Sequence, residues 1–116
     1  MPLDRKDLAA LHDALRFAND VLDHIHGHSF DTFATDRKTQ QAILYAIATT
    51  AEATHRLSHE LKSRWDRVPW PMIWGMRNIL MHEYGRVDLP TVYRVATNEI
   101  PLLHVYLQEI LASTDD

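Results

Sequence analysis

The stretch WPMIWGMRNILMHEY, from Trp70 to Tyr84, is apolar around almost its whole circumference when wound as a helix. Such a helix must be buried, within one chain or between subunits. Pro71 fits the first turn and forces Trp70 to be extended, so it reads as N1 of a helix running to about Tyr84, where Gly85 fits a stop. Ile73, Arg77, Leu80 and Tyr84 step by 4, 3 and 4, which sets an arginine in the middle of an apolar stripe. A buried guanidinium is costly unless paired or hydrogen-bonded. Asn78 and His82 add two more polar groups to the same stretch, and local rules broken in an otherwise consistent sequence mark functional sites.

Outward from this segment the periodicity is helical throughout. Glycine occurs three times in the chain, and the alternating β-branched signature of strands is absent. Leu8, Leu11, Leu15, Ala18, Leu22 and Ile25 form one stripe, with Asp4 to cap its start and Gly27 to stop it. A polar connection through Ser29, Asp31 and Thr35 leads to Asp36, the N-cap of a long second helix. Its stripe runs through Ile43, Ile47, Thr50, Thr54, Leu57 and Leu61, and the apolar run from Ala42 to Ala48 makes it central. Asp88 and Pro90 mark a further start, and Pro101 breaks or kinks the last helix into segments near 90–98 and 100–112. The expected fold is all-α, a four- to five-helix up-down bundle in a single domain, 1–116.

At 116 residues there is room for one domain with one real core. The 46% hydrophobic and 24% charged content argues against intrinsic disorder. Cysteine is absent, which excludes disulfide scaffolds, thiolate metal sites and cysteine nucleophiles together. No apolar run approaches the roughly 20 residues of a membrane span, and the amino terminus carries no secretory h-region. A cytoplasmic protein with no membrane association is expected. The net charge of −4 argues against a general nucleic-acid coat, but the charge is unevenly spread. Between Arg56 and Arg94 seven bases meet four acids, while the remaining residues carry twelve acids and five bases. One segment is thus suited to face a phosphate.

The geometry of the polar insertion is constraining. On an ideal helix Arg77 and Tyr84 lie within about 20° of each other, whereas His82 points about 140° away from Arg77. Arginine and histidine converge only if the helix ends before His82, or if two copies of the segment face each other across a two-fold axis. Such a cluster suits a phosphodiester, with arginine on the non-bridging oxygens and histidine for proton transfer near neutral pH. The bland reading is a core arginine paired with Glu52 or Glu83 and a satisfied histidine.

The run from Arg77 to Tyr84 has the form R-N-x-x-x-H-x-Y and resembles the signature of the HepT toxins, a branch of the HEPN superfamily of helical ribonucleases. The flanks agree: Ala51-Glu52-Ala53, Val68-Pro69-Trp70, Val87-Asp88, Val92-Tyr93 and Ile100-Pro101-Leu102-Leu103. The resemblance covers roughly residues 38 to 107 and departs at Ala51, where glycine is usual, and at Tyr93, where tryptophan is common. It implies a HEPN-like homodimer with a composite cleft that cleaves RNA without a metal or cofactor. Arg77 and His82 would be the catalytic pair and Asn78 the polar neighbour that orients them or the phosphate. The ribose 2′-hydroxyl would attack, which restricts the substrate to RNA and not DNA. The partner it implies is MntA, a minimal nucleotidyltransferase antitoxin that adds AMP to the signature tyrosine, here Tyr84, in a type VII-like toxin–antitoxin pair. The alternative is a non-catalytic helical module that binds a nucleotidyltransferase or a nucleotide phosphate through Arg77.

Other constellations are weaker. His24, His26 and His28 alternate, and His55 and His59 have chelating spacing, but no carboxylate or cysteine motif completes a metal set, so no metal site is assigned. Trp65, Trp70 and Trp74 suit stacking on bases but are more simply core or interface residues. Tyr45 and Tyr106 read as core residues with a polar tip. Arg64 and Arg67 are candidates for guiding RNA toward the cleft.

Overall fold

Asp4 accepts a hydrogen bond from the Lys6 N–H at 2.8 Å and starts α1 (Arg5–Ile25), which Gly27 ends at φ +81°. That left-handed conformation is strained for a residue with a Cβ, so glycine is the natural stop. The computed structural model describes residues 3–79, 81–82 and 86–113, and the side chains of all of these but 79, 81 and 82. The polar connection after α1 contains a short helix: Ser29 caps α2 (Phe30–Ala34), which drives Phe33 fully into the core. Asp36 then caps α3 (Arg37–His55) through the Thr39 N–H at 3.0 Å and the Thr39 hydroxyl at 2.7 Å.

The second helix is shorter than its apolar stripe suggests. It ends at His55; Leu57 is buried from the following turn and Leu61 from a separate helix, α4 (His59–Arg64). Ser58, the N-cap of α4, explains the break. Its N–H and hydroxyl both donate to Asp7, at 2.7 and 2.6 Å, while its oxygen accepts from the Leu61 N–H. Asp7 is buried in α1, so this carboxylate ties the first helix to the α3–α4 turn. Together with the Arg56–Asp13 ion pair at 2.8 Å, it fixes α3 antiparallel to α1.

The largest correction concerns the third helix, expected to reach Tyr84. It is α5 (Trp70–Ile79), and Met81 and His82 beyond it are extended. They form β1 (Met81–His82), paired antiparallel with β2 (Arg86–Val87) in the register Met81↔Val87 and His82↔Arg86. The pairing gives the backbone of Met81 and His82 partners outside a helix, and Val87 packs on the core. Leu80 and Glu83 to Gly85 lie outside the described residues.

Asp88 caps α6 (Leu89–Arg94) through Thr91, with Pro90 in the first turn. Pro101 neither breaks nor ends the last helical arm. A π-helical turn over Val95–Glu99, in which the Ile100 N–H reaches back to the Val95 carbonyl, joins α6 to α7 (Ile100–Ala112). The wide turn absorbs the donor that proline lacks and the crowding its ring imposes on the preceding turn. Among the described residues four helical arms therefore make the all-α bundle, with α2 and α4 as short helices in the connections.

The core lies between α1, α3 and α7, centred on Leu11, Val21, Ile43, Ile47, Leu107 and Ile110, all fully buried. Along α1 the buried face is Ala10, Leu11, Ala14, Ala18, Val21 and Ile25, so Leu8, Leu15 and Leu22 sit on its flank. Tyr45 is not a core residue. It is 67% exposed on α3 and meets Phe17 edge to face at 6.4 Å. Tyr106 is half-buried against the core, as expected. Among the described residues no helix is long and apolar enough to cross a membrane.

Candidate active site

Two helices meet where the polar residues of the signature begin. Glu52 of α3 accepts a hydrogen bond from Arg77 Nη1 of α5, and one turn along, His55 of α3 stacks on Trp74 of α5. Moving three residues forward on α3 and three back on α5 keeps contact, which sets α5 antiparallel to α3. The His55 and Trp74 rings are 3.7 Å apart and 14° from parallel, and the Arg77 guanidinium lies 3.9 Å over the indole. Both separations are close contact, and the second is well within cation–π range.

Arg77 is not a core arginine. Its side chain is 38% exposed and that of Glu52 is 50% exposed. An ion pair so open to water contributes little to stability, about 0–1 kcal/mol. Glu52 is the partner that the bland reading anticipated, yet the exposure leaves guanidinium donors available to a phosphate. Asn78 is exposed beside it on α5. His82 lies in β1, past the helix end, so the 140° divergence of a continuous helix does not apply. Its side chain, and Tyr84 altogether, lie outside the described residues.

Arg86, opposite His82 in the ladder and exposed, has no signal in the sequence beyond its place in the basic window. A further cation flanks the site: Lys62 Nζ donates to the His55 carbonyl at 3.0 Å, and partial burial lowers its pKa against the opposing pull of Asp7.

The two arginines proposed to guide RNA lie on α4 and in the connection that follows it. Arg67 pairs with Glu109 of α7 and rests against the rings of Trp65 and Tyr106, at 5.4 and 5.8 Å. It precedes α5, whose rise puts Trp70 about 10 Å from Arg77 along the axis. Arg64 is exposed at the end of α4. Trp70 packs on the core with its indole N–H donating to the carbonyls of Trp65 and Lys62, at 3.1 and 3.3 Å. Trp65 also packs on the core.

Three of the other histidines serve local ends. His28 Nδ1 bonds the Thr32 hydroxyl at 3.0 Å, His59 Nε2 the Ser63 hydroxyl at 3.3 Å, and His26 caps α1. Among the described residues no three of His, Asp and Glu group as a metal-ligand set.

α5 also borders an apolar groove of about 340 Å³, lined by Met72, Ile73, Met76, Leu102, Leu103 and Tyr106 among others. Met72 and Leu102 are more than half exposed there.

A helical bundle with an arginine and asparagine closing one helix and a histidine just beyond it defines a class, and the family comparison agrees. The family described as ribonuclease HepT-like matches residues 12–110, and the chain belongs to it. A provisionally named RNase of Caldanaerobacter subterraneus is 32% identical over 78% of this chain and 81% of its own. A provisionally named ribonuclease HepT of Thermococcus cleftensis is 31% identical over 64% of this chain and 67% of its own. A provisionally named RNase of Methanocaldococcus jannaschii is 27% identical over 94% of this chain and 91% of its own. No solved structure matches the chain at a significant level.

Proposed function

We propose that the chain is a metal-independent endoribonuclease acting as the toxin of a HepT/MntA-type pair. The observation that carries the reading is the exposed Arg77 guanidinium at the end of α5, with the helix closing between it and His82. His82 takes the proton of a ribose 2′-hydroxyl, whose oxygen attacks the adjacent phosphorus. The bond to the 5′ oxygen breaks, that oxygen receives a proton, and a 2′,3′-cyclic phosphate is left. Arg77 stabilises the charge that gathers on the non-bridging oxygens, and Asn78 orients the phosphate. A phosphate is taken by guanidinium donors of Arg77 other than the one Glu52 holds through Nη1.

The active form is a homodimer whose cleft takes both copies of the signature. Its support is the apolar face of Met72, Leu102 and Val105 left open on α5 and α7. The regulating partner is an MntA-like nucleotidyltransferase that attaches AMP to Tyr84, two residues from His82, filling the cleft with a competing phosphate. Cleavage of a single-stranded RNA, with analysis of the new ends, tests the reading: a 2′,3′-cyclic phosphate is expected, and a 3′-hydroxyl end contradicts it. Arg77 paired with Glu52 also fits a clamp that binds a nucleotide without cutting, and that alternative predicts no new ends at all.

A further inference from the structure

We infer that Trp74 and Glu52 are positioning residues for Arg77, and that His55 holds Trp74 in place for that task. The inference deepens the ribonuclease reading and rests on it for its catalytic consequence. Arginine has a long side chain with many rotamers, and an exposed one sweeps a wide volume. Charge stabilisation at a phosphate needs the guanidinium fixed to about 0.5 Å before substrate arrives. Here two fixed groups constrain it. The indole of Trp74, one turn back on α5, lies 3.9 Å beneath the guanidinium and sets the position of its face. The Glu52 carboxylate takes one edge through Nη1 and sets its rotation in that plane.

The indole is itself held, because His55 stacks on it at 3.7 Å from the facing helix. Glu52 and His55 are three apart on α3, and Trp74 and Arg77 three apart on α5, so each pair occupies adjacent turns of one helix face. The result is a cross-helix clasp around a guanidinium whose side chain is still 38% exposed. A purely stabilising cluster would not need Trp74 beneath a half-open arginine, since exposed ion pairs add little to folding.

The test compares the full-length wild type with Trp74→Leu, Trp74→Phe and Glu52→Gln, on a short fluorescent single-stranded RNA. Trp74→Leu is expected to lower kcat about 10- to 100-fold, as small misplacements of a catalytic group do, with KM changed less than about threefold. Trp74→Phe, which keeps a ring face, is expected to recover most of that loss, and Glu52→Gln to fall between. The second readout is independent of activity. The side-chain proton resonances of Arg77 should be shifted upfield by the indole ring current in the wild type and return to ordinary positions in Trp74→Leu. Equal kcat in wild type and Trp74→Leu overturns the inference, as does a loss that Trp74→Phe fails to restore, or Arg77 resonances with no ring-current shift. A wild type that leaves RNA intact contradicts the ribonuclease reading instead, and the resonances then decide whether the clasp exists.

Discussion

His82 and Arg86 stand directly opposite each other in the short ladder beyond α5, three residues of intervening chain apart. Opposed positions in an antiparallel pair bring their Cα atoms to about 4.5–5.5 Å, so a second arginine belongs to the neighbourhood of the signature histidine. Each phosphate neutralised on single-stranded nucleic acid steepens the salt dependence of binding by about 0.7 in log–log slope. Arg86→Gln, made on a His82→Ala background so that RNA stays whole, is expected to flatten that slope by about this amount. Binding measured by anisotropy from low to moderate salt checks it, and an unchanged slope removes Arg86 from the RNA path.

Tyr84 is proposed as the acceptor of AMP, and the proposed cleavage step makes no use of its hydroxyl. Tyr84→Phe should therefore arrest growth as the wild type does, yet escape silencing by the cognate nucleotidyltransferase. Intact-mass measurement after co-expression should show added AMP on the wild type and none on the variant. Equal silencing of both through the same modification contradicts the assignment.

Asp7 holds the α3–α4 turn through two hydrogen bonds to Ser58 while buried to 5% exposure. Asp7→Ala removes a charged acceptor and leaves the Ser58 N–H without it. A loss of about 2–3 kcal/mol, or about 10 °C in Tm, is expected in thermal unfolding. A loss below about 0.5 kcal/mol, ordinary for a surface position, contradicts the role.

The cap of α3 gives a pH dependence with a definite sign. Hydrogen bonds from the Thr39 N–H, then from its hydroxyl, lower the Asp36 pKa below its ordinary value of 3.8. A carboxyl whose folded pKa is depressed contributes stability that is present above the unfolded value and lost as pH falls through the folded one. The difference in urea midpoint between wild type and Asp36→Asn should hold steady from neutral pH to about pH 5 and shrink below about pH 4. A difference that grows on acidification contradicts this.

The caps and stops of the bundle were legible in the sequence because they are local. Asp4, Asp36 and Asp88 each bond an N–H two or three residues on, and Gly27 takes a positive φ. Asp7 was not legible: it looks like a first-turn acid, and its partner lies 51 residues away. The end of α5 at Ile79 was missed for a similar reason. The run Leu80 to Tyr84 continues a helical pattern, and only pairing with Arg86 and Val87 draws Met81 and His82 out of it.

At the site, the signature spacing singled out Arg77, Asn78 and His82, and Glu52 stood out as one of two possible partners for the arginine. The stack of His55 on Trp74 had no signal, since contacts between separate helices leave no period in one chain. The spacing of His55 and His59 suggested chelation, whereas the first faces an indole and the second a serine. Pro101 was placed correctly as a disturbance, but the π turn that accommodates it depends on backbone adjustment across a whole turn.

Arg77 and His82 are proposed to form one metal-independent catalytic pair for RNA. The most direct measurement incubates purified wild type and His82→Ala with total RNA in EDTA, beside growth curves on inducing each chain alone. Cleavage and growth arrest by the wild type, with both lost in His82→Ala, is the predicted result. RNA left intact by both proteins, or cut equally by both, contradicts it.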